Sequence, residues 1–135
     1  MSVLTAPVGS RGIDTILADA RGRLARLNAD QARIAELHGA VLVDIRPSTQ
    51  RMEFGEIPGA LIIERNVLEW RLDPRSDARL PIADRYDLRV IVYCQQGYTS
   101  SLAAAALQDI GLHRATDVEG GFEAWRDAGL PVLRW

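Results

Sequence analysis

The strongest hydrophobic pattern in the chain is a short apolar run followed at once by an amphipathic stretch. Residues 90–93 read VIVY, an apolar and β-branched segment typical of a strand buried on both faces. Over residues 101–110 the apolar side chains share one helical face, and four consecutive alanines favour a helix. Gly111 follows where a helix usually ends. The pattern predicts a strand, a six-residue loop over 94–99, and a helix.

Apolar runs of strand length recur along the chain, and helix-forming segments separate them. Further strands are predicted over 25–27, 40–45, 61–63 and 115–118. Helices are predicted from 13 to about 22, over 30–37 with Asn28 as N-cap, over 48–54, and after the turn at 119–121 as far as Gly129. Strands and helices that alternate in this way predict an α/β fold with three layers and a mainly parallel sheet.

Two segments show neither pattern. Residues 1–10 are predicted to form a disordered leader ahead of a single domain over 11–135. Residues 64–87 show no sustained hydrophobic periodicity. Asn66 could cap a helix through Leu72, but two prolines interrupt the chain after it. A charged loop of this length is usually functional or loosely ordered. Trp70 lies within it, and we expect it to pack rather than to line a pocket mouth.

Composition and charge exclude several classes of function. The chain has 135 residues, and its net charge of −2 is too balanced to indicate nucleic-acid binding. No stretch has the length of a membrane-spanning helix, and the N-terminus does not resemble a signal peptide. A single cysteine forms no internal disulfide, which favours a cytoplasmic location. The two histidines do not have ligand spacing, so we expect neither a metal site nor a cofactor.

The loop over 94–99 reads CQQGYT and holds the only cysteine, Cys94, at the carboxyl end of the predicted central strand. In an open parallel sheet, ligands bind at that edge. Successive N–H groups in such a turn form a nest for negative charge together with the helix N-terminus, and this nest stabilises a thiolate. Most lone cysteines are inert buried residues, but this position favours a nucleophile. We expect Ser100 and Ser101 to act as N-caps.

Three stretches of the chain carry motifs of one known family. The first is LVDIRPSTQRMEFGEIPGALII, over 42–63, which resembles the Asp-x-Arg strand and the following Gly-His-Ile-Pro-Gly-Ala turn of the rhodanese-like family. The Cys94 loop resembles the six-residue active loop, with Cys first and Gly fourth, and GGFEAWRDAGLPV, over 120–132, is similar to its C-terminal signature. The resemblance implies a sheet of about five parallel strands flanked by helices. It also implies a sulfurtransferase whose cysteine takes a sulfane sulfur as a persulfide and passes it to a nucleophilic acceptor.

The chain departs from the family pattern at two places. Glu56 stands where the family commonly has histidine, at a position that is usually structural. Many members also carry basic residues in the active loop, whereas Gln95 and Gln96 are neutral and the sixth residue is Thr99. The loop therefore lacks the side-chain cations that would attract a dianion such as thiosulfate. We expect modest activity with thiosulfate, and a protein or small-thiol persulfide as the better donor.

The substrate is expected to contact the loop and one arginine outside it. The expected loop contacts are Gln95, Gln96, Gly97, Tyr98, Thr99 and Ser100. Arg65 follows the predicted strand 61–63 and should emerge at the same sheet edge, where it could supply the missing cation. An ion pair with Glu64 or Glu69 is an equally good interpretation. Since the chain has no second cysteine, the acceptor must be external, either a thiol or a protein.

The remaining motif residues are interpreted as structural. Asp44 and Arg46 are expected to form a partly buried ion pair beneath the loop, and Phe122 and Trp125 are expected in the core. Three other functions compete with sulfur transfer. A non-catalytic binding or regulatory module is the main one; a cysteine phosphatase or arsenate reductase would need an arginine where Ser100 stands. A Cys–His hydrolase would need His38 or His113, and both follow predicted helix ends.

Overall fold

The fold is built on one parallel sheet. A computed structural model describes residues 4–135, and its four strands are β1 (Val41–Asp44), β2 (Leu61–Ile62), β3 (Val90–Tyr93) and β4 (Thr116–Asp117). They lie in the order β2-β1-β3-β4, and every neighbouring pair is parallel. The predicted strand over 25–27 is reduced to one parallel bridge, from Leu27 to Val118. The sheet therefore has four strands rather than five, with that bridge at the edge beside β4.

Helices cover both faces of the sheet, as the alternating pattern predicts. They are α1 (Ile13–Gly22), α2 (Ala29–Leu37), α3 (Ser48–Phe54), α4 (Leu68–Leu72), α5 (Thr99–Asp109) and α6 (Gly121–Asp127). Side chains of β3 alternate between two cores: Val90 and Val92 pack with α4 and α5, and Ile91 and Tyr93 pack with α2 and α6. This alternation produces the three layers. Helix α1 lies outside them and packs on α5.

Local signals place most helix ends correctly. Asn28 caps α2 through a capping box: its side chain accepts from the Gln31 N–H, and the Gln31 side chain accepts from the Asn28 N–H. Helix α3 has the predicted bounds, and Phe122 and Trp125 of α6 are fully buried, as expected. The cap and the bounds of α3 are confirmed because they depend on neighbours within a few residues, and the two aromatic residues are confirmed as part of the core shared with α2 and β3.

Three local predictions are wrong. Helix α5 begins at Thr99, two residues early, so Ser100 and Ser101 lie inside its first turn and neither is the N-cap. Asn66 does not cap a helix either, because a 3-10 turn over Arg65–Val67 precedes α4. Trp70 is 61% exposed and does not pack in the core.

The chain before α1 has no regular structure in its described part. Residues 4–10 form neither helix nor strand, and the first three residues of the predicted leader lie outside the described residues. Over residues 4–135, no helix is long and apolar enough to cross a membrane.

Candidate active site

Cys94 lies immediately after β3, at the carboxyl edge of the sheet. Its side chain is nearly buried, and the N–H of Gly97 donates a hydrogen bond to Sγ at 3.2 Å. A pocket of about 200 Å³ opens beside it, lined by Gln50, Cys94, Gln95, Gln96, Tyr98 and Thr99. The structure thus brings most of the predicted loop residues together around the sulfur. Gly97 and Ser100 are buried and do not line this pocket, although the Gly97 N–H binds the sulfur.

Three carbonyl groups of the loop are bound by donors outside it. The carbonyl of Cys94 accepts from the Phe122 N–H at 2.8 Å, and the carbonyl of Gln95 accepts from the Glu123 N–H at 3.1 Å. The carbonyl of Gly97 accepts from two arginine side chains. In a planar trans peptide the N–H points opposite to the C=O. The N–H groups that follow these carbonyls therefore face away from the bound donors.

Those N–H groups belong to Gln95, Gln96 and Tyr98. Among residues 4–135, none of the three has a hydrogen-bond partner. The N–H groups of Thr99 and Ser100, the first two of α5, add to them, because the start of a helix lacks internal acceptors. The loop thus offers unpaired donors beside the thiol, which is the arrangement that holds negative charge.

Backbone contact between the loop and the turn before α6 requires glycine at two positions. A Cβ at Gly121 would lie 2.4 Å from the Cys94 carbonyl oxygen, and one at Gly97 would lie 2.7 Å from the Gly120 nitrogen. Both glycines also have positive φ, +61° and +86°. The GG of the C-terminal signature therefore acts on the active loop directly, by allowing the two backbones to touch.

A buried ion pair forms the floor of the loop. Arg46 binds Asp44 through two bonds, Nε to Oδ1 at 3.0 Å and Nη2 to Oδ2 at 2.8 Å. Its Nη1 also donates to Gln95 Oε1 at 2.9 Å, and its guanidinium lies 4.3 Å from the centre of the Phe122 ring. The predicted pair is present and is fully rather than partly buried. The hydrogen bond from Arg46 fixes the orientation of the Gln95 side chain beside the pocket.

Tyr93 completes this floor. Its hydroxyl donates to Asp44 Oδ2 at 3.0 Å. Burial, and after it the negative charge of Asp44, raises the pKa of Tyr93 well above its usual value. Tyr93 therefore stays protonated and remains a donor to the carboxylate.

The start of α5 is held by Asp117, a fully buried residue of β4. Both Ser100 Oγ and Ser101 Oγ donate to its Oδ2 at 2.8 Å, which is why the two hydroxyls do not cap the helix. Arg26 donates to the same carboxylate from Nε at 2.8 Å and from Nη2 at 3.2 Å. No local pattern in the sequence points to Asp117 or Arg26, because the two are 91 residues apart in the chain.

Arg65 forms an ion pair with Glu69, which was the second interpretation of this residue. Its Nη1 binds Glu69 Oε1 at 2.8 Å across one turn, and it is not among the residues that line the Cys94 pocket. Gln50 of α3 does line the pocket, although no motif pointed to it. Glu56 is structural: its carboxylate faces Arg51, and its backbone pairs with Leu133.

No histidine lines the Cys94 pocket in the described part of the chain. His38 follows α2 and contacts the Ile34 carbonyl through Nδ1 at 2.8 Å. His113 follows α5 and lines a separate cavity. The residues expected for a Cys–His dyad are therefore not brought to the thiol. Over residues 4–135, no cluster of His, Cys, Asp and Glu side chains could hold a metal ion.

Comparison with known sequences agrees with this geometry. The model of the Rhodanese-like domain family matches residues 24–128. The chain belongs to the rhodanese-like family. The match includes the Asp44–Arg46 pair, the active loop and the glycine turn before α6, but it begins after α1.

Relatives of this rhodanese-like chain include enzymes of sulfur transfer. A sulfurtransferase of Allochromatium vinosum is 32% identical over 101 residues, which cover 75% of this chain and 85% of the relative. The thiosulfate sulfurtransferase GlpE of Pseudomonas syringae pv. syringae is 35% identical over 101 residues, covering 75% and 86%.

A solved structure from Rhodopseudomonas palustris is also similar. It is a protein of unknown function described as a possible tyrosine phosphatase. It shares 37% identity with this rhodanese-like chain at a TM-score of 0.83, and the match covers 95% of this chain and 98% of the other.

Proposed function

We propose that this protein is a sulfurtransferase in which Cys94 carries a sulfane sulfur as a persulfide. The observation that carries the proposal is the Cys94 thiol beside a small pocket, with the Gly97 N–H 3.2 Å from Sγ and unpaired loop N–H groups next to it. A persulfide is anionic, and such a nest of amides holds an anion without any cationic side chain. The sulfur-transferring relatives support the same chemistry.

The reaction proceeds in two displacements. The Cys94 thiolate attacks the outer sulfur of the donor; a bond forms between Sγ and that sulfur, and the S–S bond of the donor breaks. When thiosulfate is the donor, the electron pair of the broken bond leaves with sulfite. The acceptor then attacks the terminal sulfur of the persulfide, and the Sγ–S electron pair returns to Cys94 as a thiolate. Because the two substrates use the site in turn, the kinetics should be ping-pong.

The pocket favours a donor with a slender reactive end. Its volume of about 200 Å³ admits an anion such as thiosulfate or the terminal atoms of a thiol persulfide. The exposed side chains around it, Gln96, Tyr98 and Thr99, carry no charge. We therefore expect measurable but modest loading by thiosulfate, and faster loading by a persulfide donor. The single cysteine requires an external thiol or protein as acceptor.

Phosphatase chemistry is the competing function that a similar structure suggests. A cysteine phosphatase binds the phosphate oxygens through a bidentate arginine six residues after the nucleophile. Ser100 occupies that place here, and its hydroxyl is bound to buried Asp117. The residues that line the pocket in the described part of the chain include no arginine. This geometry favours sulfur transfer over phosphate hydrolysis.

The test is to load the protein with sulfur and to record its intact mass. The wild type is incubated with thiosulfate or with a small-thiol persulfide, and then with cyanide. We expect a gain of one sulfur atom that cyanide removes, and no gain in Cys94→Ser. If neither donor loads Cys94, the non-catalytic binding module takes the place of this proposal. Cys94-dependent hydrolysis of p-nitrophenyl phosphate would instead support a phosphatase.

A further inference from the structure

Two arginine side chains from the N-terminal segment converge behind the Cys94 loop. Nη2 of Arg21 donates to the Gly97 carbonyl oxygen at 2.8 Å, and Nη2 of Arg26 donates to the same oxygen at 3.1 Å. Neither arginine lines the pocket beside Cys94. Both bind the carbonyl side of the Gly97–Tyr98 peptide, whose N–H points in the opposite direction.

The convergence of two cations on one carbonyl is stabilised by Asp117. Arg26 forms two bonds to its carboxylate, while Nε of Arg21 donates to Ser101 Oγ at 3.1 Å, and that hydroxyl donates to Asp117. These hydrogen bonds link Arg21 to Arg26 through Ser101 and Asp117, and both arginines bind the Gly97 carbonyl oxygen. The group contains two guanidinium groups and one carboxylate, which pairs with Arg26 alone, so positive charge remains at this carbonyl. The Tyr98 ring lies 5.5 Å from the Arg21 guanidinium and covers it on the loop side.

The hydrogen bonds to the Gly97 carbonyl affect both the direction and the donor strength of the next N–H group, that of Tyr98. Since the C=O and N–H of a peptide point in opposite directions, a Gly97 carbonyl held by the arginines directs the Tyr98 N–H away from them. A cation hydrogen-bonded to the carbonyl also polarises the peptide and makes its N–H a stronger donor. The Tyr98 N–H is one of the unpaired groups of the nest. The N–H of Gly97, on its other side, already binds Sγ.

We infer that Arg21 and Arg26 are positioning residues for sulfur transfer, which supply positive charge to the reacting sulfur through the Gly97–Tyr98 peptide. The inference rests on the proposed function. It accounts for a loop whose side chains are neutral: the cations lie behind the loop and act through its backbone. It also gives α1 a role, because Arg21 is a residue of that helix and precedes the residues matched by the family model.

Arg21 is the better residue to test, because it is half-buried and its loss leaves the Arg26–Asp117 pair intact. The variants are Arg21→Met, which removes the charge, and Arg21→Lys, which keeps a cation able to reach a carbonyl. Arg23→Met is the matched control, since Arg23 also joins the end of α1 to α5, through the Ala105 carbonyl and Asp109. Thermal unfolding checks that each variant is folded.

The first measurement is the rate of Cys94 persulfide formation from thiosulfate at several concentrations. For Arg21→Met we expect the maximal loading rate to fall on the order of tenfold, less than the loss of a direct oxyanion donor. The half-saturating concentration should change by less than about twofold, since the pocket itself is unaltered. Arg21→Lys should recover part of the rate, and Arg23→Met should match the wild type.

The second measurement does not depend on turnover. In nitrogen–hydrogen correlation spectra, Arg21→Met should move the Tyr98 amide resonance, and Arg23→Met should leave it in place. A maximal loading rate equal to that of the wild type overturns the inference, even if the resonance moves. An equal loss of rate in Arg23→Met overturns it as well. If the wild type does not load at all, the proposed function fails, and an unmoved Tyr98 resonance would separately refute the positioning by Arg21.

Discussion

Two Arg–Asp pairs hold the two halves of the Cys94 loop, and they differ in burial and in sequence separation. The Arg46–Asp44 pair supports the first half and is completely buried, with side chains 0% and 1% exposed. The Arg26–Asp117 pair supports the second half, with 17% of the arginine side chain exposed. The first pair is two residues apart in sequence, and the second is 91 residues apart.

The difference in burial gives the two pairs different consequences when they are broken. A guanidinium removed from the buried pair leaves a carboxylate that has lost its cation and cannot reach water, which is strongly destabilising. Arg26 has a path to solvent, so it can be hydrated when its partner loses its charge. The Arg46–Asp44 pair, the inner pair, is therefore expected to determine whether the loop folds. The Arg26–Asp117 pair, the outer pair, is expected to adjust how the folded loop is oriented.

The largest effect is expected when the inner pair is broken. Arg46→Met should lower the free energy of unfolding by about 3–5 kcal/mol, because Asp44 is left buried and charged. Urea unfolding measures the loss, and Arg75→Met is a control at an exposed arginine. Adding Asp44→Asn to Arg46→Met should restore part of the stability, since no buried charge remains. A loss no greater than that of the control would contradict this account of the floor.

A smaller effect is expected when the outer pair is weakened. Asp117→Asn keeps the size and one acceptor oxygen but removes the charge, so it should cost about 1–3 kcal/mol of unfolding free energy. Asp109→Asn is the control, because Asp109 also pairs with an arginine but at an exposed position. Urea unfolding of the two variants beside Arg46→Met tests the comparison directly. If Asp117→Asn were as destabilising as Arg46→Met, the distinction between the two pairs would not hold.

The smallest effect is expected at a third pair, Arg65–Glu69, which lies on the surface. Arg65→Ala should change the free energy of unfolding by only ~0–1 kcal/mol, because solvent screens both partners. The half-saturating thiosulfate concentration for loading Cys94 should also stay unchanged, since Arg65 does not line the pocket. A clear rise in that concentration would restore Arg65 as the substrate-binding cation. Glu69→Ala, which frees Arg65 without removing it, separates the two explanations.

The structural features that the sequence determined by itself depend on residues that are close together in the chain. The run 90–93 and the helical face after it predicted β3, the loop and α5, because apolar periodicity follows directly from strand and helix geometry. The Asp44–Arg46 pair was expected from the resemblance to the family's Asp-x-Arg motif, and its two members are only two residues apart. The capping box at Asn28 is likewise local.

The tertiary structure decided which distant side chains meet at the loop. Ser100 and Ser101 look like caps by sequence, yet a buried carboxylate 16 or 17 residues later takes both hydroxyls. By sequence, Arg65 was a candidate for binding the substrate, but in the structure it forms an ion pair with Glu69 one helical turn away. Arg21 and Arg26 reach Gly97 across 76 and 71 residues of chain. Periodicity fixes which face of an element is apolar. Only tertiary packing brings those guanidinium groups within hydrogen-bonding distance of one carbonyl: α1 packs on α5 and carries Arg21, and the Leu27–Val118 bridge lies next to Arg26.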